Sequence, residues 1–365
     1  NDGMLHAFNA ETGAEEWAYI PSLVMPNLYK LADTNYADNH RFYVNATPIV
    51  GDISQTINHA DSTTTTTWST ILVGGLGAGG KGYYAVDVTN PSTPSALWEF
   101  SDSDMGYSYG NPVITQIANA DASTTWVVAF TSGLNNSGNG YLYILDARTG
   151  ALLYKIPTLV NGGAVGTAST PSGLNKLNGW VEDPTYNLTE RFYAGDMLGN
   201  LWRFDADNLT PPANNATDTR AVRLANFTAG GSAQPITTRP ELAEVSYGGY
   251  NHTVVLVGTG RYLGLSDLDS TATQSIYGVK DPLTSTGWGN VRPSLVEQTL
   301  SAFNDTDNLR TVTNNTVDWN SATVALRSVR MSALTPSSTC FDFAGSSVVH
   351  MAGATAALAG VLLLG

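Results

Sequence analysis

Five histidines, one cysteine and 31 carboxylates are the groups of this 365-residue chain that could do chemistry, and their spacing decides which chemistry is open to them. His6, His40, His59, His252 and His350 lie far apart, with no second His or Cys at metal-ligand spacing. His6 falls within a strand pattern and reads as structural. Cys340 has no base near it in sequence, and no G-x-S-x-G elbow occurs. Scattered Asp and Glu side chains could meet in space as a hydrolytic pair, but no spacing selects one. Gly75, Gly77 and Gly79 precede Lys81 as they would in a phosphate loop, yet the segment that follows, Tyr83 to Val88, reads as a strand. A phosphate site needs a helix N-terminus there, so the glycines predict a wide β turn.

The elements that would position any site are repeated hairpins. Arg191 to Asp205, RFYAGDMLGNLWRFD, reads as a strand over Phe192 to Ala194, a turn in which Gly195 and Gly199 supply positive φ, and a second strand. In that second strand Leu201, Trp202 and Phe204 supply bulk, while Arg203 and Asp205 predict a wet end. The same pattern returns in Gly3 to Trp17, Gly82 to Trp98 and Gly140 to Tyr154, and more weakly in Ile276 to Asp281. Copies fall roughly 60 to 80 residues apart, longer than a minimal four-stranded propeller blade of about 40 to 50 residues, and loop insertions account for the excess. The fold class predicted is all-β: a β-propeller of four-stranded antiparallel blades, quinoprotein-like, with about seven blades and not closed by these residues alone.

Composition narrows the partners. Acidic residues outnumber basic ones 31 to 17, and the net charge of −14 disfavours nucleic acid and anionic lipid. Only 13% of residues are charged, so neutral Thr, Asn, Ser and Gly must cover the surface, as in exported proteins. A single cysteine permits no internal disulfide. Asn1 opens in mid-motif, which reads as a piece whose upstream part, with any targeting signal, lies outside the sequence.

Along the chain, Ser22 to Asn39 predicts a short helix, His40 to Asp52 a strand bounded by Pro48 and Gly51, and Asp61 to Thr67 a solvated loop tip. Ser101 to Pro112 reads as a turn-rich linker. Asn45, Asn187 and Asn226 head glycosylation sequons, which chance explains in so Asn- and Thr-rich a chain.

Four segments carry a resemblance: NDGMLHAFNAETG with Ile20-Pro21, HRFYVNATPIVGD, WSTILVGGLGAGGKGYYAVDVTNP, and YAGDMLGNLWRFD with GTGRYL and YGVKD downstream. In order and spacing, over Asn1 to about Trp319, the chain resembles the β-propeller domain of the neisserial PilC and pseudomonad PilY type IV pilus tip proteins. That resemblance implies a non-enzymatic surface protein, exported to the pilus tip and acting in pilus assembly, adhesion and the control of retraction. Its implied partners are pilins or minor pilins and a host or abiotic surface. Trp17, Trp98, Thr12-Gly13 and Thr149-Gly150 also resemble blades of pyrroloquinoline-quinone dehydrogenases, which gives an oxidoreductase as the alternative. The adjacent cysteines used by many of those enzymes are missing. A generic protein-binding propeller fits equally.

The resemblance also implies calcium, bound by a loop of oxygen ligands just before the YAGD segment. The corresponding stretch here is Asn178 to Glu190, NGWVEDPTYNLTE, without alternating aspartates. Glu190 stands where the last acidic ligand would fall, Asp183 and Asn187 could contribute, and Pro184 and Tyr186 occupy ligand places. The expected metal residues are therefore Asp183, Asn187 and Glu190.

The domain reading is a propeller over residues 1–319 and a non-family tail over 320–365, out of frame or disordered. His350 to Gly365 is too short for a membrane anchor of about 20 apolar residues.

Overall fold

The computed structural model describes residues 2–59, 61–206, 220–304, 309–321 and 326–331. Two compact units share them. The first holds residues 1–192 and 204–220, and the second holds 193–203 and 221–365.

The first unit opens with the hairpin β1 (Leu5–Phe8) and β2 (Glu15–Tyr19), followed by α1 (Met25–Leu28) and a 3-10 turn at Tyr29–Ala32, within the helix expected over Ser22 to Asn39. Next come β3 (Ile49–Asn58), β4 (Thr64–Gly75), β5 (Tyr83–Asp87) and β6 (Ser95–Phe100), then β7 (Val113–Ala118), β8 (Thr124–Thr131), β9 (Tyr141–Asp146) and β10 (Leu152–Pro157). These make two antiparallel four-stranded sheets whose spatial order follows chain order. Period-2 patterning explains the packing. Val73, Tyr83, Ala85 and Trp98 of one sheet meet Val128, Phe130, Tyr143 and Leu145 of the other in one buried cluster. Tyr83 stacks on Phe130 at 4.0 Å between ring centroids.

Two tryptophans in the first unit each tie one sheet to the next. Trp98 donates its indole N–H to the Ala147 carbonyl at 2.9 Å, and Trp17 donates to the Pro91 carbonyl at 2.8 Å. Gly150 takes φ +70° in the turn beneath Trp98, and a Cβ there would lie 2.5 Å from Trp98 Cγ. The Thr-Gly turn thus makes room for the preceding blade's tryptophan.

A short hairpin, β11 (Leu159–Val160) with β12 (Gly163–Ala164), precedes a third four-stranded sheet of β13 (Leu177–Val181), β14 (Thr189–Gly195), β15 (Asn200–Asp205) and β16 (Ala221–Asn226). The second unit continues with the hairpin β17 (Thr228–Ala229) and β18 (Ser232–Ala233), then β19 (Glu241–Tyr247), β20 (Tyr250–Gly258), β21 (Gln274–Lys280), β22 (Val296–Asn304), β23 (Leu309–Val312) and β24 (Leu326–Met331). Six of these strands form a sheet of order β19-β20-β21-β24-β22-β23, with β24 antiparallel to β21 and parallel to β22. Of the tail expected to stand outside the propeller, residues 326–331 form β24. Residues 322–325 and 332–365, including Cys340 and His350, lie outside the described residues. No helix among the described residues is long and apolar enough to cross a membrane.

Two local expectations fail for identifiable reasons. The strand foreseen from His40 begins only at Ile49, because Tyr43 is buried against α1 and donates its hydroxyl to the Asn27 carbonyl at 3.0 Å. Gly51 does not end that strand; it lies within it, where a Cβ would meet Ile114 at 3.2 Å. The threonine run foreseen as a loop tip is instead the first third of β4, paired from Thr64↔Asn58 to Thr67↔Gln55. Consecutive β-branched residues favour the extended backbone even where every side chain faces water.

Candidate functional site

The loop between β13 and β14 carries the expected metal residues, and each is occupied by the fold. Asp183 closes a turn, its Oδ1 accepting the Thr185 N–H at 2.8 Å and its carbonyl accepting that of Tyr186 at 3.2 Å. Asn187 sits at φ 48° and turns its carbonyl to β7, where Gln116 N–H donates at 2.9 Å and Thr115 Oγ1 at 2.7 Å. The Tyr186 carbonyl accepts Gln116 Nε2 at 2.7 Å. Glu190 lies on β14 with its carboxylate 3.2 Å from Arg191 Nη1. Calcium takes six to eight oxygens. Here the carbonyls of 183, 186 and 187 are committed to the protein and a guanidinium already pairs Glu190, so the loop in this arrangement does not fit the ion. Among the described residues no three His, Cys, Asp or Glu side chains group as a metal site.

The buried charge lies elsewhere, in the second unit. The Asp196 carboxylate is fully buried and takes five donated bonds: from the N–H groups of Leu198 and Asn200 at 2.9 and 2.8 Å, from Asn200 Nδ2 to both oxygens, and from Trp202 Nε1 at 2.9 Å. Burial pushes its pKa up to about 6 against the pull of those donors. This one side chain shapes the turn of the GDMLGNLW segment. Gly199 supplies the positive φ expected of it, at 78°, whereas Gly195 has another reason to be glycine: a Cβ there would lie 2.2 Å from Ile236.

Arg203, expected at a wet strand end, is 3% exposed. Its Nη1 donates to Asp281 Oδ1 at 2.7 Å, and Asp281 Oδ2 accepts the Tyr193 hydroxyl at 2.7 Å. Beside this pair Lys280 donates to the carbonyls of Trp319 and Ser321 at 2.8 and 2.7 Å, and burial pushes its amine pKa down. A cavity of about 510 Å³ opens there, lined by His252, Lys280, Asp281, Trp288 and Asn320 among others. His252 Nε2 is bonded to Asn320 Oδ1 at 2.9 Å and the Trp288 indole to the Lys280 carbonyl at 2.7 Å. These groups hold strand ends and loops together. Sequence reading found the YGVKD motif but not its partner Arg203, which lies 78 residues from Asp281.

His6, read as structural, bridges Asp2 Oδ2 at 2.8 Å and Glu15 Oε1 at 3.4 Å, and its bond to Asp2 raises its pKa.

Antiparallel four-stranded sheets, a tryptophan tie from blade to blade and charges spent on turns define a β-propeller domain. The PilY1 beta-propeller domain family matches residues 1–313. The chain is 32% identical over 358 residues to the type IV pilus biogenesis factor PilY1 of Pseudomonas aeruginosa strain UCBPP-PA14, covering 87% of this chain and 29% of that protein. It is 35% identical over 287 residues to a type IV pilus biogenesis factor PilY1 homolog of Xylella fastidiosa strain Temecula1, covering 78% and 21%. Among solved structures it is similar to the Pseudomonas aeruginosa PilY1 C-terminal domain, with a TM-score of 0.67 and 28% identity over 91% of this chain and 69% of that one. The chain belongs to the PilY1 β-propeller family, and it spans less than a third of the length of these curated relatives.

Proposed function

We propose that this propeller acts without enzymatic activity in type IV pilus assembly and in the balance between pilus extension and retraction, as part of a longer protein exported to the pilus tip. The observation that carries this reading is the family match over residues 1–313, with relatives named as pilus biogenesis factors. Its partners are pilins or minor pilins, bound by loops that the blades present, and the exposed end of the pilus brings it to host or abiotic surfaces. The chain purified with minor pilins of its own bacterium should bind at least one of them saturably, and should show no absorbance from a bound quinone. Failure to bind any, or a stoichiometric quinone, contradicts the proposal.

Calcium modulation is a separable arm. Binding at Asp183, Asn187 and Glu190 would require Glu190 to leave Arg191 and the loop to release carbonyls from β7, which would couple the ion to loop order. Calorimetry on the chain, with Asp183→Ala and Glu190→Ala as controls, tests it. Heat lost in both variants supports the site, and no heat in the unsubstituted chain ends this arm while leaving the pilus role intact.

A further inference from the structure

The hairpin of β3 and β4 outruns its sheet. Ten residue pairs join the two strands, from Ile49↔Val73 to Asn58↔Thr64, without a bulge, whereas β5 covers β4 only from Gly75 to Ile71. Thr70 is the last residue of β4 satisfied on that side: its carbonyl accepts Val88 N–H at 2.9 Å and its N–H donates to Thr89 Oγ1 at 2.9 Å. Past this point the hairpin is a two-stranded arm.

Strand parity fixes what the arm offers. The N–H and C=O of one residue point to the same side of an antiparallel strand, and the side alternates. Since Thr70 faces β5, Trp68, Thr66 and Thr64 also face that side, where no strand among the described residues lies opposite. Edges of this kind are usually protected by Lys, Pro, a bulge or a covering loop. Here Thr63 to Leu76 contains no charged residue and no proline, and residues 63–68 are exposed. Trp68 is 61% exposed, touching Trp126 only edge-on at 6.2 Å.

We infer that this edge pairs with the same edge of a second copy, antiparallel about a two-fold axis at Thr66. Self-pairing aligns Thr64 with Trp68 of the other copy, Thr66 with Thr66, and Trp68 with Thr64, and gives about six main-chain hydrogen bonds, two per facing pair. An uncharged strand suits its own copy, because no like charges fall opposite one another. Each Trp68 gains a neighbour on its exposed face. Only five residues per copy take part, well short of a standard interface, so the association is weak. Two bodies of net charge −14 repel, so association strengthens as salt screens them.

Sedimentation of the whole 365-residue chain from about 5 to about 500 µM, at low and high salt, tests this. The weight-average mass should climb from 38.6 kDa toward twice that value, more steeply at high salt. Thr66→Pro removes an N–H that the hairpin does not use, and Thr66→Lys keeps the N–H but sets two cations face to face across the axis. Both variants should stay monomeric and folded, losing only the exposed hydroxyl bond between Thr66 and Thr56. A chain monomeric under every condition overturns the inference, as does a dimer that survives both substitutions.

Discussion

Asp196 is the residue with most to say about pH. Its folded pKa of about 6 stands above the ordinary 3.8, so its contribution to stability is full below the unfolded value and is lost as pH rises through 6. Acidification from pH 7 to 5 should therefore stabilise the protein through this group by about 1 kcal/mol, the rest of a total of about 3 kcal/mol coming only as pH falls below the unfolded value. Glu99 acts in the opposite sense. Burial pushes its carboxyl up, but bonds from Ser22, Tyr19 and Leu23 hold it below the ordinary 4.5, so its stabilisation fades as pH falls below 4.5. Melting temperature against pH should peak near 5, and Asp196→Asn should flatten the limb between 5 and 7 that remains after the smaller contribution of His6 in the same direction. An unchanged limb in that variant would remove Asp196 from the explanation. Asp281→Ala should cost about 3 to 5 kcal/mol in urea unfolding, because Arg203 stays buried without its carboxylate. A loss under 1 kcal/mol would mean that water reaches the guanidinium.

Among the elements, a tryptophan tied to the next blade's turn is the device seen twice, Trp98 at Thr149-Gly150 and Trp17 at Asn90-Pro91. Trp98→Ala should destabilise by about 3 to 5 kcal/mol, and Trp98→Phe by less, since the ring still packs and only the bond to Ala147 is lost. No loss at all in Trp98→Phe, in thermal or urea unfolding, would deny the indole N–H its part. This device was legible in the sequence because all its signals are local: glycine for the turn, alternation for the strands, an aromatic residue to close each copy. What escaped was non-local. Gly195 reads as a turn glycine until Ile236 is seen against it, and Arg203 as a wet end until Asp281 arrives from another strand. The threonine run misled differently: low complexity suggested a loop, although β-branched side chains favour a strand wherever a partner such as Gln55 to Asn58 lies alongside. For the loop of Asp183, Asn187 and Glu190, the family resemblance supplied candidates but could not show that Arg191 already pairs Glu190 and that β7 already engages Asn187.

At the scale of the molecule, the low charge density and acidic balance suit a body outside the cell that avoids nucleic acid and anionic lipid, and the blades give its loops a stiff mount. The pilus role proposed for this propeller rests on its family. Its most direct test is to remove residues 1–313 from the full gene in the source bacterium, in frame, and to count surface pili and score twitching movement beside the intact strain. The account predicts few or no pili and lost twitching, both restored by the intact gene on a plasmid. Normal piliation and movement, with no paralogue to compensate and the shortened protein still exported, would contradict it.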